Sequence, residues 1–279
     1  MTDPSLPLLI AVAPTGARKR KIDHDALPIE PREIALTAAR CRLAGAGMLH
    51  LHVRDEQGEH SLSPVRYREV LQAVRTVAGS ELLVQISTEA CGQYSLEQQM
   101  ATVRNLKVDA ASYALREFFP GEVVDPRVVE FFAWVTGLGV GGQFILYTPA
   151  ERDRLQALVA RGIIPAKRPH ALFVLPRHGA NPQSDPADLH AFLQGWPSDW
   201  PWSVCAYGPS ELAVAELAIR LGGHVRVGFE DNLYDVDGEL LENNEARVRQ
   251  VAELAARAGR PLATPSQIRG LFAAQDAAY

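Results

Sequence analysis

The stretch Gly47-Met48-Leu49-His50-Leu51-His52-Val53-Arg54-Asp55 joins a strand pattern to two metal-type ligands. Alternate side chains of a β-strand share a face, so His50 and His52 lie on one side and Leu49, Leu51 and Val53 on the other. Two adjacent imidazoles can chelate one cation, and a catalytic zinc takes three protein ligands and keeps one position open. The same spacing also suits two histidines that bind no metal. Arg54-Asp55 closes the segment with opposite charges, which suits the rim of a polar site.

A second stretch, Arg226-Val227-Gly228-Phe229-Glu230-Asp231-Asn232, sets two acids directly after an apolar strand. A carboxylate there can be the third ligand beside His50 and His52, leaving one position open for substrate. Alternatively, both acids favour the positive end of a following helix. Arg226 and Gly228 share a strand face, so Arg226 can project inward, where a buried cation needs an acid. Asp231 and Asp55 are the two candidates.

These residues need elements to hold them. Short apolar runs at 8–13, 47–53, 82–87, 108–113, 142–147, 171–175, 202–207 and 224–229 read as strands. Between and after them, helical spacing is expected over 31–44, 65–77, 96–106, 123–138, 150–160, 185–194, 210–221 and 244–258. Pro31 is expected in the first turn of the first helix, Ser184 or Asp185 at the N-cap of the sixth, and Gly259 just past the last. Eight strands alternating with eight helices predict a TIM (β/α)8 barrel, formed by residues 1–279 as a single domain; an open doubly wound sheet is the competitor. Barrel closure makes the eighth strand a neighbour of the first, which brings 226–232 towards 50–52 at one mouth. Barrel chemistry sits at the C-terminal strand ends, where these polar residues fall.

Composition narrows the class. The 279 residues are 47% hydrophobic and 22% charged, which is ordinary for a globular protein. A net charge of −5 offers no field for nucleic acid or an anionic membrane. There is no apolar run near ~20 residues, and the basic cluster Arg18-Lys19-Arg20-Lys21 follows the N-terminal apolar run rather than preceding it. A soluble, cytoplasmic protein is expected. Cys41, Cys91 and Cys205 are far apart, which indicates neither a disulfide framework nor a zinc knuckle.

The chain resembles the β-keto acid cleavage enzyme family over nearly its whole length. The resemblance rests on Thr15-Gly16-Ala17, Leu27-Pro28-Ile29, Gly45-Ala46, His50-Leu51-His52-Val53-Arg54-Asp55, Gln85-Ile86-Ser87-Thr88, His224 to Asn232, and Ala263-Thr264-Pro265. It implies a TIM barrel, a homotetramer, a zinc held by His50, His52 and Glu230, and a catalytic pair of Asp231 and Arg226. It implies conversion of a β-keto acid and acetyl-CoA to acetoacetate and a new acyl-CoA, with Ser87 and Thr88 binding the substrate carboxylate. This chain departs from the family pattern at Glu89-Ala90, where two glycines are common, at Arg18, where the aminohexanoate-cleaving members carry glutamate, and at Gln143, where they carry a second glutamate. Arg18 and Gln143 are thus candidate selectivity residues favouring neutral or anionic substrates, unless Arg18 belongs to a solvated basic loop. A metal-dependent hydrolase or aldolase on the same barrel is the rival reading, with His178 as a possible further ligand.

Overall fold

The computed structural model describes residues 6–176 and 183–272. Ten strands and ten helices occur among them. The strands are β1 (Ile10–Val12), β2 (Met48–Leu51), β3 (Val53–Arg54), β4 (His60–Ser61), β5 (Leu83–Ile86), β6 (Ala110–Ala114), β7 (Gly141–Leu146), β8 (His170–Val174), β9 (Trp202–Cys205) and β10 (His224–Val227). The helices are α1 (Pro31–Ala44), α2 (Pro64–Ala78), α3 (Leu96–Arg104), α4 (Leu115–Phe118), α5 (Pro126–Gly137), α6 (Pro149–Ala160), α7 (Asp188–Leu193), α8 (Glu211–Arg220), α9 (Asn244–Arg257) and α10 (Pro265–Phe272).

Eight parallel strands close in the order β1-β10-β9-β8-β7-β6-β5-β2, so the structure is a TIM barrel and not an open sheet. Closure pairs Ala11 with both Arg226 and Met48. The last and second strands of the barrel thereby flank the first, and the two chemical stretches share one mouth.

Local chemistry starts α1, α3, α6 and α9 within one residue of where expected, whereas the fourth expected helix, over 123–138, begins only at Pro126. Pro31 opens α1 while Glu33 accepts from the Ile29 and Glu30 amides. Ser95 caps α3 by accepting from Gln98 N, Thr148 caps α6 from Glu151 N, and Asn243 caps α9 from Ala246 N. The sixth expected helix differs. It begins only at Asp188, because the Asp185 side chain accepts from Ala187 N in a turn and Ser184 Oγ accepts from Tyr207 N. The expected second strand also breaks at His52. Val53–Arg54 leaves the barrel and pairs antiparallel with His60–Ser61.

The main core lies between the sheet and its helices; among its residues are Val12, Leu49, Leu51, Ile86, Tyr113, Phe131 and Phe173. The barrel interior is layered. Leu9, Ala11, Met48, Leu83 and Ala110 pack against Ile268 and Phe272 of α10, which plugs one end. Ala114, Ile145, Leu172, Val174 and Cys205 form a second apolar cluster. Buried Gln85, Gln143, Ser203, His170 and His224 add a polar set on the same strands. No helix among the described residues is long and apolar enough to cross a membrane.

Candidate active site

His50 is the last but one residue of β2, and His52 stands just beyond the end of that strand. Their Nε2 atoms are 3.2 Å apart. Glu230 reaches them from the loop after β10, with Oε2 at 3.6 Å from His50 Nε2 and 3.4 Å from His52 Nε2. Two glycines allow that approach. Gly228 has φ +133°, and a β-carbon there would lie 2.5 Å from Ala13 O. A β-carbon on Gly16 would lie 2.5 Å from Glu230 Cγ.

The protonation pattern decides what these three groups can hold. His50 Nδ1 donates to Gln85 Oε1 at 2.7 Å, because an amide oxygen only accepts, and this leaves Nε2 with a bare lone pair. Burial, followed by the Arg226 charge, pushes His50 down to about 3, and burial holds His52 well below its ordinary value. Both rings are therefore neutral near pH 7. Glu230 Oε2 is buried with no hydrogen-bond partner among the described residues. Two imidazole nitrogens and a carboxylate oxygen thus converge, all within 4.8 Å of one another. Burial pushes the Glu230 carboxyl up to about 8, so without an ion that carboxyl holds a proton near pH 7, which a bound cation would displace. A divalent cation satisfies all three donors at once.

Arg226 stands beside this triad and joins it to Asp231. Its Nη2 donates to Asp231 Oδ1 at 2.7 Å, its Nε to Oδ2 at 3.1 Å, and Nη2 lies 3.1 Å from Glu230 Oε1. Asp231, and not Asp55, is the partner of Arg226. Asp55 accepts from Gln57 N and Glu59 N in its own turn. Among the described residues Arg54 likewise makes no ion pair with an acid across the mouth; its guanidinium donates to the Gly16 and Lys19 carbonyls of the loop after β1 and to the Gly58 carbonyl.

The triad and Asp231 open into a cavity of about 990 Å³ that is also lined by Ser87, Ser112 and Arg18. The loop after β5 divides the expected substrate contacts. Ser87 faces the cavity, and its Oγ accepts from Glu89 N at 3.2 Å. Thr88 departs from its expected role: its hydroxyl donates to Ser112 O at 2.7 Å and it is not part of the cavity lining. Gln143 is also displaced from its expected role, because its place on β7 puts it in a buried chain. Gln85 Nε2 donates to Gln143 Oε1 at 3.1 Å, Gln143 Nε2 lies 3.5 Å from Ser203 Oγ, and Ser203 Oγ lies 2.8 Å from His170 Nε2. Arg18 does line the cavity, but its Nη2 lies 3.4 Å from Glu89 Oε1 and its side chain is 72% exposed. His178 lies outside the described residues.

Several supporting residues carry no motif. Ser112 has a buried hydroxyl with no partner among the described residues, aimed at the cavity it lines. Alternation offered a faint signal for it, since it is the polar member of the face shared with Ala110 and Ala114. Behind β10, Glu211 accepts from Gly228 N at 3.3 Å and Asn232 Nδ2 at 3.1 Å while Arg247 Nε lies 2.8 Å from it. Asn244 Oδ1 accepts from Phe229 N at 2.9 Å and its Nδ2 donates to Pro14 O at 3.1 Å. These bonds bracket Glu230 and Asp231 on both sides.

Known proteins agree with this architecture. The chain is 30% identical over 269 residues to a 3-keto-5-aminohexanoate cleavage enzyme from Fusobacterium nucleatum subsp. nucleatum, covering 95% of this chain and 97% of the relative. It is 31% identical over 274 residues to a 3-oxoadipate:acetyl-CoA acetyltransferase from Cupriavidus necator, covering 95% and 94%. A solved ternary complex of ObcA with a C4-CoA adduct and oxalate superposes with a TM-score of 0.70 at 18% identity, over 88% of this chain and 67% of that one, which is a likeness of fold. The sequence pattern of the beta-keto acid cleavage enzyme family matches residues 7–273, and with a relative 30% identical over almost its whole length, the chain is an enzyme belonging to that family.

Proposed function

We propose that this enzyme converts a β-keto acid and acetyl-CoA to acetoacetate and a new acyl-CoA, with zinc held by His50, His52 and Glu230. The observation that carries the reading is the convergence of three donor atoms beside the Arg226–Asp231 pair in one cavity. A zinc bound there would act as a Lewis acid on the substrate ketone and acidify its C2 protons. The rest is assigned to the chain. Asp231, locked in orientation by two bonds from Arg226, takes a C2 proton. Ser87, with the unpartnered hydroxyl of Ser112, holds the substrate carboxylate.

The C2 carbanion then attacks the thioester carbonyl of acetyl-CoA. CoA leaves that carbon as the thiolate and adds to the other keto carbon, whose bond to C2 breaks, and Asp231 returns its proton to C2. The acetyl group stays on C2, so R–CO–CH2–COO⁻ and acetyl-CoA become acetoacetate and R–CO–CoA, with every atom accounted for. The Cupriavidus relative is named as an acetyl-CoA acetyltransferase, which supports the co-substrate. The Fusobacterium relative is named for an amino-substituted keto acid and the Cupriavidus relative for a dicarboxylic one. Arg18 beside Glu89 removes the net negative charge at the rim that would hold an ammonium tail, which supports a preference here for neutral or anionic acids over amino-substituted ones. We also propose a cytoplasmic homotetramer, to be checked by light scattering.

The test is a panel of β-keto acids supplied with acetyl-CoA, followed by acetoacetate release, together with metal analysis of the native protein and of His50→Ala and His52→Ala. Acetoacetate formed only with acetyl-CoA, and metal lost from both variants, support the proposal. Turnover with water alone would favour a hydrolase, and full metal occupancy in the variants would remove the ligand assignment.

A further inference from the structure

The cavity has two unlike walls. On one side stand the triad, Arg226 and Asp231. On the other, the C-terminal ends of β6, β7 and β8 present Ala114, Ile145 and Val174, which belong to one buried apolar cluster with Tyr147 and Tyr207 packed against it. These three residues are 4%, 8% and 4% exposed, so what they offer to a ligand is hydrocarbon.

The charged groups near that wall already have partners. Arg116 lies 3.9 Å above the Tyr147 ring and its Nε donates to Glu151 at 2.7 Å. Arg18 faces Glu89 at 3.4 Å, and Glu117 accepts from Ala90 N and from Gln99 Nε2. Lys19, on the triad side, donates to Glu230 O at 2.6 Å. An ionic tail laid against Ala114, Ile145 and Val174 would lose its hydration and meet no described charged group waiting for it.

We infer that this wall is the subsite for the distal chain of the substrate and that the chain it takes is alkyl, making the preferred substrate an uncharged 3-oxo acid with an apolar tail. The inference rests on the β-keto acid reading above and narrows it, since that reading allows an anionic tail as well. Chain length then becomes a source of transition-state binding. Each methylene transferred from water to the wall raises kcat/KM about fourfold until the wall is covered.

The experiment compares 3-oxohexanoate and 3-oxooctanoate with 3-oxoadipate and 3-keto-5-aminohexanoate, each with acetyl-CoA. It also measures calorimetric binding of 3-hydroxyoctanoate and 3-hydroxyadipate, which lack the ketone. The expected result is a kcat/KM for 3-oxooctanoate at least tenfold above both ionic substrates, with the octanoate analogue binding more tightly. Ile145→Ser and the nearly isosteric Val174→Thr should each reduce the advantage of 3-oxooctanoate over 3-oxohexanoate; the second keeps volume and tests polarity if the first does not fold. Cleavage led by 3-oxoadipate or by the amino acid overturns the subsite and leaves the reaction standing. No cleavage of any 3-oxo acid, with the octanoate analogue still binding more tightly, overturns the reaction and leaves the subsite standing.

Discussion

Gln85 holds His50 from beneath: its side-chain oxygen accepts the His50 Nδ1 proton at 2.7 Å while its amide nitrogen donates to Gln143. The bond sets the tautomer that turns the His50 Nε2 lone pair towards His52 and Glu230. Gln85→Leu keeps the volume and removes the acceptor. The expected outcome is a 10- to 100-fold weaker affinity for zinc, read by competition with a chromophoric chelator, with the barrel still folded by circular dichroism. Unchanged affinity would mean that His50 is oriented by packing alone.

Asp231 has a different signature, because it is assigned to the proton and not to the metal. Asp231→Asn keeps a partner for Arg226 but removes the base. We expect kcat to fall by about 10²- to 10⁴-fold with metal content unchanged. Exchange of the C2 protons of the β-keto acid with deuterated water, followed by NMR without acetyl-CoA, should fall in step. Retained exchange would move the base elsewhere.

Much of this site was legible because its chemistry is local in sequence. His-x-His needs only strand alternation to share a face, and Glu230-Asp231 follows its strand directly. Counting eight strand-helix units permits closure without deciding it, and the closed order, in which the last strand meets the first, brings residues 50 and 230 together. What escaped is non-local. The pairing of Glu211 with Arg247, which steadies Gly228 and Asn232, joins residues on two helices, and no spacing within either announces it. Thr88 and Gln143 lie away from their expected places for a related reason. Sequence shows that a polar residue lies near a strand end, but whether its side chain meets the cavity or a neighbouring strand depends on the stagger of the barrel. The break at His52 follows from the antiparallel β3–β4 pair, which a single run of alternating residues does not reveal.

Acid should destabilise this barrel through histidines away from the triad. Burial pushes His170 down to about 3, and burial with the nearby His170 and Arg260 holds His224 well below its ordinary value. Both stay neutral in the fold while the unfolded chain protonates near pH 6.5, so the unfolded state binds more protons and stability falls as pH drops. Each contributes a slope of about 1.4 kcal/mol per pH unit below pH 6, continuing to about pH 3 for His170. Urea unfolding at pH 7, 6 and 5 with a chelator present should show the decline, and His170→Gln should flatten it by one proton. An equal slope in the variant would assign the acid sensitivity to other groups.

Arg18 and Glu89 face each other across the cavity rim at 3.4 Å, and Glu89 Oε2 also lies 4.0 Å from His52 Nε2. With Arg18 present the pair is close to neutral, so the rim neither draws in nor repels an ionic tail strongly. Arg18→Glu changes the charge there by two and sets a second carboxylate beside the first, which attracts an ammonium group and repels a carboxylate. Because Arg18 is 72% exposed, the field acts through a high dielectric, and the expected shift in kcat/KM ratio, 3-keto-5-aminohexanoate over 3-oxoadipate, is about tenfold at low salt. Screening makes a second demand: the shift should shrink several-fold in 0.5 M salt, where the Debye length is about 4 Å. A ratio that does not move in Arg18→Glu places Arg18 in the solvated basic loop with Arg20 and Lys21, and leaves selectivity to the wall of Ala114, Ile145 and Val174.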